Sequence, residues 1–174
     1  MFSIWLIPSQ NDLIQLSQVI NHNQFILNRP AYIPHMTMIQ GDDKTMNWHD
    51  TLNQIAYNTP IITLNIQDKG MSYHTFYRSF FLTFHDSSHL NCLHEKFKPI
   101  GHDQYHFIPH LSLAYGAYGA DAKQQESLEI PEAMHSVTFD KIALVSDHPN
   151  EDNNAIASWR IQYMVDLNKP SLDR

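Results

Sequence analysis

The sequence predicts an α+β fold in which two related lobes face each other across a central cleft. Three observations support this class. The chain has 174 residues, of which 43% are hydrophobic and 11% aromatic, enough for one domain with a substantial core. The predicted strands and helices alternate in two successive sets that follow a similar plan. A short histidine motif also recurs at the matching strand of each set. No linker divides the chain, so residues 1–174 are expected to form a single bilobal domain.

The first half is predicted to contain three strands and two helices. The strands are apolar segments bounded by turn-forming residues, at 3–7, 33–40 and 61–67. The first helix follows Ser9, with Asp12 as its capping-box partner, and the second follows Thr45. Lys69–Gly70 is predicted to turn the chain.

The second half is predicted to contain four strands and two helices. The strands are expected at 73–84, 107–115, 137–145 and 156–167, the first of them rich in aromatic residues. Ser88 is predicted to cap one helix, and residues 122–128 form a second, weaker one. The acidic segment 147–154 is expected to be a solvent-exposed loop.

Charge and cysteine content limit the classes of partner and compartment. The chain has 18 acidic and 11 basic residues, a formal net charge of −7, which argues against a long nucleic acid as the main partner. A small anionic ligand at a local site remains compatible with this charge. The single cysteine, Cys92, cannot form an intrachain disulfide, so we expect a cytoplasmic protein. No signal peptide or membrane span is expected from the apolar pattern.

A repeated element singles out two of the 12 histidines. Its first copy is Pro-His-Met-Thr-Met-Ile-Gln-Gly at 34–41, and its second is Pro-His-Leu-Ser-Leu-Ala-Tyr-Gly at 109–116. Side chains at positions i and i+2 of a strand point to the same face. His35 and Thr37 should therefore share one face, as should His110 and Ser112, with the apolar residues between them directed into the core.

The paired motifs predict acid–base chemistry on a phosphate ester. If the lobes pair about a pseudo-two-fold axis, one cleft receives two imidazoles and two hydroxyls. One neutral imidazole can take a proton from an attacking water, and one imidazolium can protonate the leaving oxygen. The hydroxyls can donate hydrogen bonds to the nonbridging oxygens. This set suits a strained cyclic phosphate without a metal, and it predicts a bell-shaped pH dependence centred near neutrality.

The sequence resembles the two-histidine phosphoesterase superfamily, and within it the cyclic phosphodiesterases. The superfamily is defined by a pair of His-x-[Thr/Ser]-x motifs, and the likeness extends over nearly the whole chain. Besides the two motifs, the resemblance is carried by Ser3-Ile4-Trp5, Thr75-Phe76-Tyr77-Arg78, Lys141-Ile142-Ala143-Leu144 and Trp159. It implies antiparallel sheets lining the cleft, helices outside, and opening of ADP-ribose 1″,2″-cyclic phosphate and nucleoside 2′,3′-cyclic phosphates without metal or other cofactor.

The resemblance also implies roles for particular residues. His35 and His110 are the acid–base pair, with His110 expected as base and His35 as acid. Thr37 and Ser112 bind the phosphate. Tyr115 lies at the phosphate and nucleoside site, and Trp5 walls the site.

Several alternatives remain open at this stage. Tyr77 and Arg78 would lie on opposite faces of a strand, so only one should face the cleft, and we favour Tyr77 as a substrate contact. The spacing of His102, His106 and His110 would form a metal-binding face on a helix, but Pro109 interrupts it, and no metal site is predicted. The competing functions are RNA-end processing by a 2′–5′ ligase or phosphodiesterase relative, and non-catalytic binding of phosphorylated ends. A monomer acting on a small cyclic phosphate is expected.

Overall fold

The computed structural model describes residues 1–42, 47–101, 105–131, 133–146 and 152–168. Within these residues the chain forms seven strands and five α-helices. The strands are β1 (Phe2–Pro8), β2 (Met36–Gly41), β3 (Ile62–Met71), β4 (Phe80–Phe84), β5 (His110–Ala114), β6 (Ser136–Ser146) and β7 (Arg160–Asp166). The helices are α1 (Gln10–Ile26), α2 (Trp48–Tyr57), α3 (Ser88–Phe97), α4 (Ala122–Glu126) and α5 (Asn153–Ser158). No helix of the described ranges is long and apolar enough to cross a bilayer.

The strands form one hydrogen-bonded sheet that brings its two end strands together. The strand order is β2-β1-β6-β3-β4-β5, with β7 also paired to β6, and neighbouring strands are antiparallel. The first part of β3 pairs with β6 and its second part with β4. The end strands β2 and β5, which carry the two histidine motifs, lie within contact distance of each other. The predicted α+β class is confirmed, whereas the division into two lobes stays a prediction.

The strand register of both motifs follows the predicted alternation. Met36 and Met38 of β2 are fully buried, as are Leu111 and Leu113 of β5, and all four belong to one hydrophobic core. That core also includes residues of β1, β3, β4 and β6 and of the helices α1, α2 and α3. Since the apolar positions of both strands are fixed in the core, the intervening positions are directed away from it.

The prediction of a long aromatic strand at 73–84 is wrong, because only Phe80–Phe84 is a strand. Residues 72–79 form a loop closed by a hydrogen bond from the Ser72 amide to the Ser79 carbonyl, 2.8 Å long. The turn predicted at Lys69–Gly70 is also wrong, since β3 continues to Met71. A Cβ atom on Gly70 would lie 2.5 Å from the Phe81 ring, so this glycine permits a close cross-strand approach rather than a turn.

Helix starts differ from expectation in detail. Ser9 lies at the N-cap of α1, but its hydroxyl contacts the Asp12 carboxylate instead of capping the helix backbone. Thr45 lies outside the described residues, and Asn47 caps α2. Ser87, not Ser88, caps α3.

The last strand is shorter than predicted. Residues 156–158 are the end of α5, and the strand starts only at Arg160. Asp152 caps α5. Residues 147–151 of the predicted acidic loop lie outside the described part of the chain.

Candidate active site

The two motif histidines line a single cleft. His35 immediately precedes β2 and His110 is the first residue of β5, so the approach of the end strands brings both imidazoles to one cavity of about 240 Å³. The cleft is lined by the following residues: Ser3, Trp5, His35, Thr37, Gln40, Thr75, Tyr77, Arg78, Tyr105, His106, Ile108, His110, Tyr115 and Trp159. Six of the seven residues singled out from the sequence are among them, and Ser112 is not.

The same hydrogen bond orients both imidazoles. Nδ1 of His35 lies 2.6 Å from the Ile33 carbonyl oxygen, and Nδ1 of His110 lies 2.7 Å from that of Ile108. A carbonyl oxygen only accepts, so Nδ1 carries the hydrogen in each ring. In the neutral state Nε2 is then the unprotonated nitrogen of both histidines. The repeated Pro-His element therefore produces two equivalent imidazoles, each able to accept or return a proton at Nε2.

Aromatic rings surround His35. The Trp5 ring stacks on it with centroids 3.5 Å apart and planes 7° apart, and the Trp159 ring meets it edge-on at 5.8 Å. The Tyr115 hydroxyl lies 3.2 Å from Nε2 and can donate to the neutral ring. The side chain is 5% exposed, and this burial lowers the pKa of His35 to about 3, against the weaker raising effect of the Ile33 carbonyl. His35 is therefore neutral in the free protein near pH 7.

His110 has a more open environment. Its ring is half-buried and meets the Phe81 ring edge-on at 5.7 Å. Burial lowers the pKa of His110 and the Arg78 charge lowers it further, while the Ile108 carbonyl raises it. His35 is thus the more deeply buried of the two imidazoles, and His110 is the more open one. The division of the acid and base roles between them stays a prediction.

The two motif hydroxyls have different surroundings. Thr37 is half-buried and lines the cleft. Ser112 is only 2% exposed, and its hydroxyl donates a 2.7 Å hydrogen bond to the Tyr77 carbonyl. The structure thus directs Thr37 to the cleft that holds both imidazoles and directs Ser112 to the loop 72–79.

Tyr77 and Arg78 both line the cleft, so the expectation that only one of them faces it is wrong. The expectation assumed strand alternation, which does not apply to the loop 72–79. Arg78 supplies a positive charge in the cleft of an acidic chain. Tyr105, whose hydroxyl donates to the Thr37 carbonyl at 3.0 Å, and His106 were also missed, and no motif marked them.

The described residues contain no group of three or more His, Cys, Asp or Glu side chains placed to hold a metal ion. Of the histidines at 102, 106 and 110, His102 lies outside the described ranges.

Comparison with solved structures identifies the fold. No protein-family model matches the chain, and no curated protein matches it. A crystal structure described as a phosphoesterase superposes with a TM-score of 0.65 at 16% identity, over 97% of this chain and 98% of that one. LigT of E. coli complexed with 3′-AMP gives a TM-score of 0.62 at 16% identity, with the same coverage of the two chains. The protein TT0787 of Thermus thermophilus gives 0.61 at 12% identity, again over 97% and 98%. The chain therefore has the α+β fold of LigT and related phosphoesterases.

Proposed function

We propose that this protein is a two-histidine phosphoesterase that hydrolyses small cyclic phosphates to monoesters without a metal ion. The proposed substrates are nucleoside 2′,3′-cyclic phosphates and ADP-ribose 1″,2″-cyclic phosphate. The observation that carries the proposal is the pair of imidazoles, His35 and His110, oriented by matching Nδ1 hydrogen bonds and directed into one cleft. The LigT-like fold supports the same class of chemistry.

The two imidazoles divide the proton transfers of hydrolysis. Neutral His35 accepts a proton at Nε2 from the water that attacks phosphorus, and a new P–O bond forms. The ring P–O bond breaks, and Nε2–H of protonated His110 gives its proton to the leaving ribose oxygen. Each transfer contributes about 10²–10⁴-fold to the rate. A bound phosphate anion raises the pKa of both imidazoles, which favours the protonated form of His110 in the complex.

Thr37 and Arg78 are proposed to bind the phosphate. The Thr37 hydroxyl can donate to a nonbridging oxygen, and the Arg78 guanidinium can neutralise its charge. The Tyr115 hydroxyl contacts His35 Nε2 in the ligand-free site and must give up this contact when the attacking water takes its place at that nitrogen. The rings of Trp5 and Tyr77 provide apolar walls for the sugar and base.

The size and charge of the site favour a small substrate. The cleft volume of about 240 Å³ lies below the roughly 300–1,000 Å³ common for drug-sized ligands, which suits a substrate bound mainly around one phosphate. A net charge of −7 also disfavours extended contact with a nucleic-acid backbone. We also propose that the protein is a cytoplasmic monomer, in which the exposed Cys92 is a free thiol.

A metal-free assay tests the proposed function. The purified protein, treated with chelator, is incubated with adenosine 2′,3′-cyclic phosphate, ADP-ribose 1″,2″-cyclic phosphate and a 3′,5′-cyclic nucleotide, and products are identified by phosphorus NMR. We expect the first two to open to monoesters at an unchanged rate in chelator and the third to remain intact. Absence of turnover on both proposed substrates, or turnover abolished by chelator, would reject the proposal.

RNA-end processing is the second candidate, because the LigT fold is shared over nearly the full length of both chains. Substrate length and salt separate the two functions. Activity on RNA ends should rise with RNA length and fall steeply with salt as phosphate contacts are screened. A mononucleotide-sized substrate should show little dependence on either. The first outcome would favour RNA-end processing, and the second favours the small cyclic phosphate.

A further inference from the structure

Both histidine motifs lie beside an aromatic residue of the neighbouring strand. In the β1–β2 pair, Trp5 is opposite Thr37, and in the β4–β5 pair, Phe81 is opposite Ser112. The motif hydroxyl follows the motif histidine by two residues in both copies. Diagonal neighbours across a strand pair are within reach of an aromatic ring. Each motif histidine can therefore contact a ring from the adjacent strand.

An irregularity of strand pairing at the same place in both motifs produces this alignment. The β1–β2 register shifts just before Trp5 and skips Met38, and the β4–β5 register shifts just before Phe81 and skips Leu113. Met38 and Leu113 are both the fifth residue of the repeated element. An extra residue in one strand of a pair redirects the side chains around it. The equivalence of the two motifs thus extends to the strands beside them.

The Phe81 ring contacts two side chains of the cleft. Its centroid lies 5.7 Å from that of the His110 ring, with an interplanar angle of 78°. The guanidinium carbon of Arg78 lies over the same ring, 5.9 Å from its centroid. A cation within about 6 Å of an aromatic centroid is attracted to the ring. The Arg78 backbone is held separately, because its carbonyl accepts a 3.0 Å hydrogen bond from the Thr75 hydroxyl.

Gly70 of β3 leaves space for the Phe81 ring. The two residues are opposite each other in the β3–β4 pair. A Cβ atom on Gly70 would lie 2.5 Å and 2.6 Å from two carbon atoms of the ring. These distances are far below the favourable separation of about 3.5–4.0 Å between nonbonded carbon atoms. A side chain at position 70 would therefore displace the ring and alter its contacts with His110 and Arg78.

We propose that Phe81 is a positioning residue, the counterpart of Trp5 for the second motif, whose ring orients the His110 imidazole and holds the Arg78 guanidinium beside it. Gly70 serves this role by making room for the ring. The two rings differ in geometry, since Trp5 stacks in parallel on its histidine and Phe81 meets its histidine edge-on. The proposal rests on the proposed function only for the reaction that the positioned side chains serve.

An NMR titration of the His110 ring in the ligand-free protein tests this role. Burial lowers the pKa of His110, and the Arg78 charge lowers it further, against the raising effect of the Ile108 carbonyl. Phe81→Leu removes the ring and keeps an apolar side chain, so it should open the packing, release the guanidinium and raise the pKa of His110. The rise caused by Arg78→Gln should be smaller in the Phe81→Leu background than in the wild type. These variants leave in place the other titratable side chains that line the cleft: His35, Tyr77, Tyr105, His106 and Tyr115.

Gly70→Ala tests the same role from outside the cleft. The added methyl group should displace the Phe81 ring and shift the pKa of His110. In the Phe81→Leu background, where the ring is absent, Gly70→Ala should cause no further shift. Gly119→Ala is the matched control, because a Cβ atom on Gly119 meets nothing within 4 Å, and it should leave this pKa unchanged. No shift in Gly70→Ala, or a shift of the same size in the Phe81→Leu background, would overturn the proposal.

Urea unfolding of the same variants separates positioning from packing. A ring that only fills space would lower stability on removal and leave the pKa of His110 in the folded protein unchanged, and that outcome rejects the proposal. If Phe81→Leu does not fold, Phe81→Met replaces it, since the flexible unbranched side chain adapts to the space left by the ring. Both titrations use ligand-free protein, so failure of the cyclic-phosphate assay would leave them valid, and the two proposals fail separately.

Discussion

The indole of Trp5 lies parallel to the imidazole of His35, with ring centroids 3.5 Å apart and planes 7° apart. Trp5 is in β1 and His35 immediately precedes β2, and the two strands are hydrogen-bonded neighbours. The stack fixes one face of the ring, while the Ile33 carbonyl fixes Nδ1 and the Tyr115 hydroxyl contacts Nε2. His35 is thus held in one orientation before substrate arrives, as its proposed role as general base requires.

Replacement of Trp5 by Leu should loosen this orientation. Trp5 is 3% exposed, so the smaller side chain should cost roughly 1–3 kcal/mol of stability. Water entering beside the ring should raise the pKa of His35 towards its ordinary value, because burial is the main cause of its lowering. NMR titration of His35 checks this expectation. Trp5→Phe, which keeps an aromatic face, should stay nearer the wild-type value, and an unaltered pKa in Trp5→Leu would contradict the role of the stack.

Removal of the Thr37 hydroxyl should weaken phosphate binding. A hydrogen bond to a charged group contributes about 1.5–3 kcal/mol, so Thr37→Val should lower kcat/KM by roughly tenfold to a hundredfold. Thr37→Ser keeps the donor and should retain most of the activity. The measurement is steady-state turnover of a nucleoside 2′,3′-cyclic phosphate. Equal activity of the Val and Ser variants would show that the hydroxyl does not contact the phosphate.

Stability should fall as the pH falls below about 6.5. The pKa of His35 is about 3 in the folded protein and 6.5 as an ordinary value, so between these values the unfolded chain binds more protons. His35 therefore contributes stability that is complete above pH 6.5 and is lost progressively as the pH falls towards 3, by about 1.4 kcal/mol per pH unit. The lowered pKa of His110 acts with the same sign.

Urea unfolding from about pH 7 to about pH 5 measures this slope. Wild-type protein should lose stability more steeply over this range than His35→Gln, which lacks the titrating group. Parallel slopes for the two proteins would mean that the pKa of His35 is not lowered.

The pH optimum of activity should be lower than the near-neutral optimum expected from the sequence. kcat/KM reports the pKa values of the free enzyme, and both imidazoles have a lowered pKa, so its optimum should fall below about pH 6.5. kcat reports the complex, in which the phosphate charge raises both pKa values, so its optimum should lie at higher pH. Initial rates over a range of substrate concentrations separate the two profiles. A kcat/KM profile that is flat up to about pH 9 would contradict acid–base catalysis.

The framework of the site could be predicted from the sequence because this framework depends on local rules of strand geometry. Alternation along a strand placed Met36, Met38, Leu111 and Leu113 in the core, and the structure buries all four. The repeated Pro-His element marked the two imidazoles, and the structure brings them to one cleft. These features need only the periodicity of a strand and the pairing of two similar segments.

The other features of the fold and the site depend on tertiary contacts, which the sequence pattern does not contain. Residues 73–79 have strand-forming composition, yet hydrogen bonds to Ser112 and Gly116 hold them as a loop, and this placed Arg78 in the cleft unexpectedly. Gly70 looked like a turn residue but serves the close approach of the Phe81 ring. The Nδ1 bond to the carbonyl two residues earlier, and the different surroundings of Thr37 and Ser112, were likewise visible only in three dimensions.

The central claim is that both imidazoles act on one phosphate, and histidine variants test it most directly. Turnover of a nucleoside 2′,3′-cyclic phosphate in chelator is measured for His35→Ala, His110→Ala and, as a control, His89→Ala, whose side chain is exposed on α3. We predict that kcat falls by about 10²–10⁴-fold in each of the first two variants, with product binding retained and His89→Ala unaffected. Wild-type turnover in either His35→Ala or His110→Ala would contradict the account.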